Sequence, residues 1–197
     1  LMGIGAVDTT DDLCLHMLGM HGTAYANYAI DDCDLVIAVG ARFDDRVCAV
    51  PGQWAKNAKV LQIDIDPAEF GKVKKADWTH IGDAGVSLRD LMAHGKGVKT
   101  DFSAWVKYCQ ALKKAHPMGY NPNSPIIQPQ EVCEVINKHT KGNAIVTTGV
   151  GQHQMWAPQY YHFNQPRTFI SSLGAGTMGF GLPAAIGAKV ACPKKHV

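Results

Sequence analysis

Apolar and polar positions along the chain fall into short strand-like and helix-like runs separated by turn residues. Residues 35–39 (Leu-Val-Ile-Ala-Val) form a continuous apolar run, the pattern of a strand covered on both faces. Residues 60–65 (Val-Leu-Gln-Ile-Asp-Ile) and the weaker Thr79-His80-Ile81 are also β-rich. Around them, residues 22–30 carry a helical pattern, and residues 85–94 read as a helix opening after Asp83. Strands and helices in alternation predict a parallel α/β sheet.

The pattern changes after residue 94. A polar Lys/Gly stretch is followed by an amphipathic segment over residues 102–114, then by a run in which Pro117, Pro122 and Pro125 fall within nine residues. Prolines at that density exclude a helix or a central strand. Residues 95–129 are therefore read as an interdomain connection. A second α/β unit follows, with a helix at 130–139, a strand at 144–148 and an apolar helix at 179–190. The expected organisation is the latter part of one parallel-sheet domain (1–94), the connection (95–129) and the first part of a second α/β domain (130–197).

Composition narrows the class. Apolar residues make up 46% of the 197 and charged residues 18%, as a globular core requires. Lys and Arg number 19 against 17 Asp and Glu, and no basic run exceeds two residues, so no nucleic-acid surface is advertised. No apolar stretch approaches the roughly 20 residues that span a bilayer. Cys14, Cys33, Cys48, Cys109, Cys133 and Cys192 show neither a C-x-x-C pair nor a His at metal-ligand spacing, which predicts buried free thiols in a reducing compartment. The chain opens at Leu1 inside an apolar run and closes at Val197 just after a helical segment; it reads as an internal piece of a longer protein.

Candidate chemistry gathers at predicted strand ends, where parallel sheets hold ligands. The strand at 35–39 runs into Gly40-Ala41-Arg42-Phe43-Asp44-Asp45-Arg46, and the strand at 60–65 ends on Asp64 and Asp66. A strand-end carboxylate can bind a ribose hydroxyl, and a neighbouring Gly lets the backbone approach a phosphate. Turn chemistry and a helix N-cap explain the same residues. Leu18-Gly19-Met20-His21-Gly22 precedes a helix and offers either cofactor contact or a plain loop. In the second unit, Gly149-Val150-Gly151-Gln152-His153-Gln154-Met155-Trp156 follows a strand, and residues 171–183, rich in Gly, precede a helix. Those are the parts of an anion cradle, or of a tight loop with close helix packing.

The strings from Leu18 (Leu-Gly-Met-His-Gly-Thr-Ala-Tyr-Ala-Asn), Gly40 (Gly-Ala-Arg-Phe-Asp-Asp-Arg-Val), Gln62 (Gln-Ile-Asp-Ile-Asp), Gly149 (Gly-Val-Gly-Gln-His-Gln-Met-Trp) and Gly176 (Gly-Thr-Met-Gly-Phe-Gly-Leu-Pro-Ala-Ala-Ile-Gly) resemble, in that order, the acetohydroxyacid (acetolactate) synthase catalytic subunits. The Gly-Thr-Met-Gly-Phe-Gly-Leu-Pro string alone points only to the wider thiamine diphosphate family. Arg42-Phe43-Asp44-Asp45-Arg46 with the Gly-Met-His-Gly string is narrower.

The resemblance implies a flavin adenine dinucleotide site in the central domain, at Leu1, Met2, Gly3, Leu18, Gly19, Met20, His21, Gly40, Ala41, Arg42, Phe43, Asp44, Asp64, Ile65, Asp83 and Ala84. It implies thiamine diphosphate contacts at Gln152, His153, Gly176, Thr177 and Met178, with Met178 supporting the bent cofactor, and places Arg46 near the mouth of a substrate channel. The family's catalytic glutamate precedes this stretch and its magnesium ligands follow Val197, so no catalytic residue and no metal ligand is expected here. This chain departs from the family at Leu173, where Gly or Ser is usual, and at Ala175, where Leu is usual.

The implied activity is decarboxylation of pyruvate on thiamine diphosphate, and ligation of the hydroxyethyl unit to a second 2-oxo acid, pyruvate or 2-oxobutanoate, in branched-chain amino acid biosynthesis. The implied setting is a magnesium-dependent homo-oligomer, dimer or tetramer, with a regulatory small subunit, in the cytoplasm or in a plastid or mitochondrion. The alternatives are a flavin-free catabolic acetolactate synthase, a glyoxylate carboligase, a pyruvate oxidase, and a non-enzymatic dinucleotide-binding module; the last leaves the Gln-His and Gly-Thr-Met strings unexplained.

Overall fold

The computed structural model describes residues 2–197, and they form two compact units. The first, Leu18–Met20 with Ala24–His116, is built on three parallel strands in the order β1 (Leu35–Val39), β2 (Lys59–Asp64) and β3 (Trp78–Ile81). The register pairs Ala38 with Gln62 and Gln62 with Thr79. Helix α1 (Ala24–Asp32) precedes β1 and α2 (Ala84–His94) follows β3, the alternation the sequence predicts. Asp83 caps α2 by accepting the Val86 amide at 3.0 Å, so the residue chosen as the helix opener performs that task.

The core of this unit comprises Ala38, Phe43, Cys48, Trp54, Ala55 and Val60, with Val36 packed against it. Side chains alternate along a strand, so Val36 and Ala38 reach the core while Leu35 and Ile37 point the other way and remain 47% exposed. The expected two-faced cover of β1 is met on one face within this chain. Helix α3 (Ser103–Ala115) lies against α1. There the Tyr108 hydroxyl donates to Asp32 and the His116 ring lies 4.9 Å from Tyr28. The amphipathic segment thus folds as a helix of the sheet unit.

The second unit comprises the chain up to Met17, His21–Thr23 and Pro117–Val197. Helix α4 (Pro129–Thr140) starts with Pro at its first turn, where a missing N–H costs nothing. Two parallel strands follow, β4 (Val146–Thr148) and β5 (Phe169–Ser171), interleaved with α5 (Gln152–Tyr160) and α6 (Gly181–Ala191). Ala144, Tyr161 and the fully buried Phe163 form its core, with Phe163 5.3 Å from the Phe169 ring. The N-terminal segment is tied into this unit: the Phe163 amide donates to the Thr9 hydroxyl (2.8 Å) and the Thr9 amide to the Phe163 carbonyl (3.1 Å). Among the described residues no helix is long and apolar enough to cross a membrane.

Candidate cofactor sites

The carboxyl ends of three parallel strands share one edge of the sheet, and most of the candidate flavin residues of the first unit stand there. Gly40 leaves β1 with φ +62°, its amide donating to the Ile63 carbonyl at 2.8 Å. Arg42 pairs with Asp44 at 3.0 Å, and Asp44 also accepts the Arg46 amide. Phe43, only 5% exposed, turns inward and meets the Trp54 ring edge-on at 5.4 Å. Phe43 is therefore a core anchor that presents only its backbone. After β2, Asp64 accepts the Asp66 amide (3.0 Å), and Asp66 caps the 3-10 turn Pro67–Glu69 through the Ala68 amide (2.9 Å). Asp83 is occupied as the α2 cap. These carboxylates organise the backbone of the turns they stand in.

Gly19 and Met20 join the same unit through the loop after β1. The Met20 amide donates to the Arg46 carbonyl at 2.8 Å, and the Asn27 amide group bonds both the Gly19 N–H (2.9 Å) and its carbonyl (3.0 Å). Gly19 has φ +97°, and a Cβ there would stand 2.3 Å from the Arg46 carbonyl oxygen. Glycine is required on both counts. His21 belongs to the second unit, where its carbonyl accepts from Gln159 at 2.7 Å. Met2, which is exposed, and Gly3 also belong to that unit; Leu1 lies outside the described residues. Arg46 is exposed and reaches Asp45 at 3.9 Å.

In the second unit, β4 runs through Gly149-Val150-Gly151 directly into α5, which puts Gln152 and His153 in the first turn of that helix. Gly151, at φ +147°, is the N-cap and supplies no capping side chain. The Gln154 amide bonds the Gly151 carbonyl at 3.1 Å, and no side chain caps the Gln152 and His153 amides ahead of it. A Cβ at Gly149 or Gly151 would meet the His153 ring at 3.4 or 3.3 Å, so the glycines give the imidazole its place. Gly176 and Gly179 both have positive φ, the Thr177 amide donates to the Ser172 hydroxyl at 2.9 Å, and Met178 stands 77% exposed.

Three polar residues hold these loops together, and sequence reasoning passed over their role. The Thr148 and Ser171 hydroxyls meet at 2.6 Å, and the Gln154 amide donates to Ser171 (2.7 Å) and to the Ser172 carbonyl (3.3 Å). Gln154 sits inside the singled-out Gln-His-Gln string, the one signal that could have pointed to it. Thr147 donates to the Gly181 carbonyl (3.1 Å), seating α6 on β4. Beside this hub, His153, Thr148 and Trp156 join Val132, Cys133 and Ile136 around a mostly apolar cavity of about 460 Å³. Cys133 lines this cavity, and burial raises its thiol above the usual range, which disfavours the thiolate. Among the described residues no three His, Cys, Asp or Glu side chains gather as a metal site.

Comparison with known proteins adds the family. Residues 1–91 match the thiamine pyrophosphate enzyme central domain, and residues 149–197 match the C-terminal thiamine pyrophosphate-binding domain of the same enzymes. The chain belongs to the thiamine pyrophosphate enzyme family. Acetolactate synthase 1, chloroplastic, from Zea mays is 48% identical over 98% of this chain and 31% of the relative's length. The corresponding protein of Oryza sativa subsp. japonica is 50% identical over 98% of the chain and 31% of its own length, and the acetolactate synthase large subunit of Lactococcus lactis is 47% identical over 100% and 34%. The chain thus spans about a third of the length of the curated relatives it matches.

The α5 end has room for a diphosphate group. A diphosphate needs unpartnered N–H groups without crowding side chains, and the Gly149 to Gly151 turn ahead of an uncapped helix supplies them.

Proposed function

We propose that the whole protein is an acetolactate synthase, decarboxylating pyruvate and ligating the two-carbon unit to a second 2-oxo acid to yield 2-acetolactate or, from 2-oxobutanoate, 2-aceto-2-hydroxybutyrate. The observation that carries this reading is identity of 47–50% to acetolactate synthases across almost the entire chain, through both cofactor-candidate regions. Thiamine diphosphate, when bound, supplies the carbanion chemistry, and the protein supplies geometry and desolvation. In this reading the α5 amides and His153 receive the diphosphate, Gln152 and the backbone of Gly176 and Thr177 fix its surroundings, and Met178 offers an apolar thioether to the cofactor rings without a proton to give.

Flavin adenine dinucleotide is assigned to the edge formed by Gly40, Ala41, Arg42, Phe43, Asp44, Asp64, Ile65, Asp83 and Ala84, with Leu18, Gly19 and Met20 from the preceding loop. The residues fit on one count: backbone and carboxylates converge there while Phe43 and Trp54 keep their rings in the core. His21, Leu1, Met2 and Gly3 remain assigned to the flavin by resemblance. Magnesium is expected from ligands elsewhere in the protein, and Arg46 is assigned to the substrate channel. Residues 1–94, 95–129 and 130–197 are assigned to the central domain, the connection and the start of the cofactor-binding domain. The active form is proposed to be a homo-dimer or tetramer with a regulatory subunit, in the cytoplasm or in an organelle according to the host.

Product analysis of the full-length protein with pyruvate, thiamine diphosphate and magnesium tests the reading. Acetolactate is the expected product. Acetaldehyde or acetate as the main product would reject it.

A further inference from the structure

We infer that Gln62 is a positioning residue that clamps two loops of the proposed flavin edge to each other, an inference that rests on the flavin reading above. Gln62 lies in the middle of β2 and is fully buried. Its side-chain amide nitrogen donates to the Ala41 carbonyl (3.3 Å) in the loop after β1 and to the Glu69 carbonyl (3.4 Å) in the turn after β2. Both acceptors are oxygens, which fixes the orientation of the amide. Both contacts are longer than the usual 2.9–3.0 Å, yet they tie together two loops that leave separate strands. One loop carries Gly40 to Asp44, the other follows Asp64 and Ile65.

The rest of the surroundings supports a clamp rather than a packing residue. Along β2 the side chain of Gln62 shares a face with Val60 and Asp64, so an apolar residue would satisfy packing at this position. Burying an amide there carries a desolvation cost that only its hydrogen bonds offset, and its Oε1 has no partner among the described residues. A side chain kept at that cost serves the two carbonyls it holds. Ala41 and Glu69 then set where the Gly40 turn and the Asp66-capped turn stand relative to each other, and so where a dinucleotide would find its amides and the Asp64 carboxylate.

The test uses the full-length protein, with flavin adenine dinucleotide and thiamine diphosphate as probes. Gln62→Met keeps length and volume but removes both donors. We expect its flavin dissociation constant to rise about fivefold or more, the factor that goes with loss of a hydrogen bond or two. Thiamine diphosphate affinity should stay within about twofold, and amide exchange should quicken at residues 40–44 and 64–69 without flavin present. Should Gln62→Met fail to fold, Gln62→Asn, one methylene short of the two carbonyls, carries the same comparison. Unchanged flavin affinity and unchanged exchange in those loops would overturn the clamp, whatever the melting temperature does. Wild-type protein that binds no flavin would refute the flavin reading alone, and the exchange comparison would then decide whether Gln62 holds the loops.

Discussion

The two candidate cofactor regions are built in opposite ways. At the sheet edge of the first unit, loops are held from below by buried and half-buried side chains: Phe43 is packed on Trp54, Gln62 reaches two carbonyls, and the half-buried Asn27 grips Gly19 from both sides. In the second unit the inner turn is fixed by the Thr148–Ser171–Gln154 hub, but the outer residues 174–179 are exposed, with the Thr177 amide tied to the Ser172 hydroxyl. A loop held by the core is shaped in advance for an extended ligand, whereas a loop held at its base can settle against whatever covers it. The difference predicts that changes at the first region cost folding and changes at the second cost function.

The largest effect should come from adding a single methyl group where backbone already fills the space. Gly19→Ala would place Cβ 2.3 Å from the Arg46 carbonyl oxygen at φ +97°, and Gly181→Ala would place it 2.6 Å from the Gly149 nitrogen. Overpacking and left-handed strain together make Gly19→Ala destabilising by about 3 kcal/mol or more. Gly181→Ala, without the strained φ, should cost about 2 kcal/mol. Gly176→Ala meets nothing within 4 Å and faces only its φ of +65°, about 1 kcal/mol. Melting temperature and soluble yield of the three full-length variants would rank them, and a Gly176 variant as damaged as the Gly19 variant would break the contrast between the regions.

Met178 sharpens the contrast from the functional side. A side chain 77% exposed contributes little to folding, so Met178→Ala should leave stability within about 0.5 kcal/mol of wild type. If its thioether supports the thiamine cofactor, turnover should fall by roughly a hundredfold, the scale on which a misplacement of about 1 Å acts, with flavin binding unchanged. A normal turnover in folded protein would remove the support role.

Most of the first unit is legible because β1 and β2 are apolar-rich runs bounded by turn residues and α2 opens on the Asp83 cap. The second unit was harder to read. Helix α5 follows two glycines and contains Pro158, signals that argue against a helix, and β5 is three residues long, too short for a period to show. Candidate site residues could be named from the motifs, but not their division of labour. Phe43 stands among ligand-type residues and yet serves the core, while Gln62 looks like the polar member of an alternating strand and is buried. Neither role follows from residue type, since each depends on which loop the tertiary fold brings against it.

The smallest expected effect lies at the run of prolines, where the second unit takes up the chain again. Tyr120 donates to Glu134 on α4 at 2.7 Å and stacks edge-on against Tyr160 at 6.0 Å, while the Tyr160 hydroxyl donates to the Gly119 carbonyl at 3.2 Å. The hydrogen bond to Glu134 pushes the Tyr120 phenol from 10.0 up to about 12. Because the folded value is raised, the bond's contribution is present below pH 10 and is lost as pH rises from 10 through about 12. The bond lies at the surface, so the contribution is small. Ultraviolet titration of the full-length protein should show one tyrosine ionising near 12 that Tyr120→Phe removes, with the melting temperature at pH 7 nearly unchanged. If Tyr120 instead ionises near 10, the tie to Glu134 does not hold in solution, and the Tyr160 contacts remain to anchor this run.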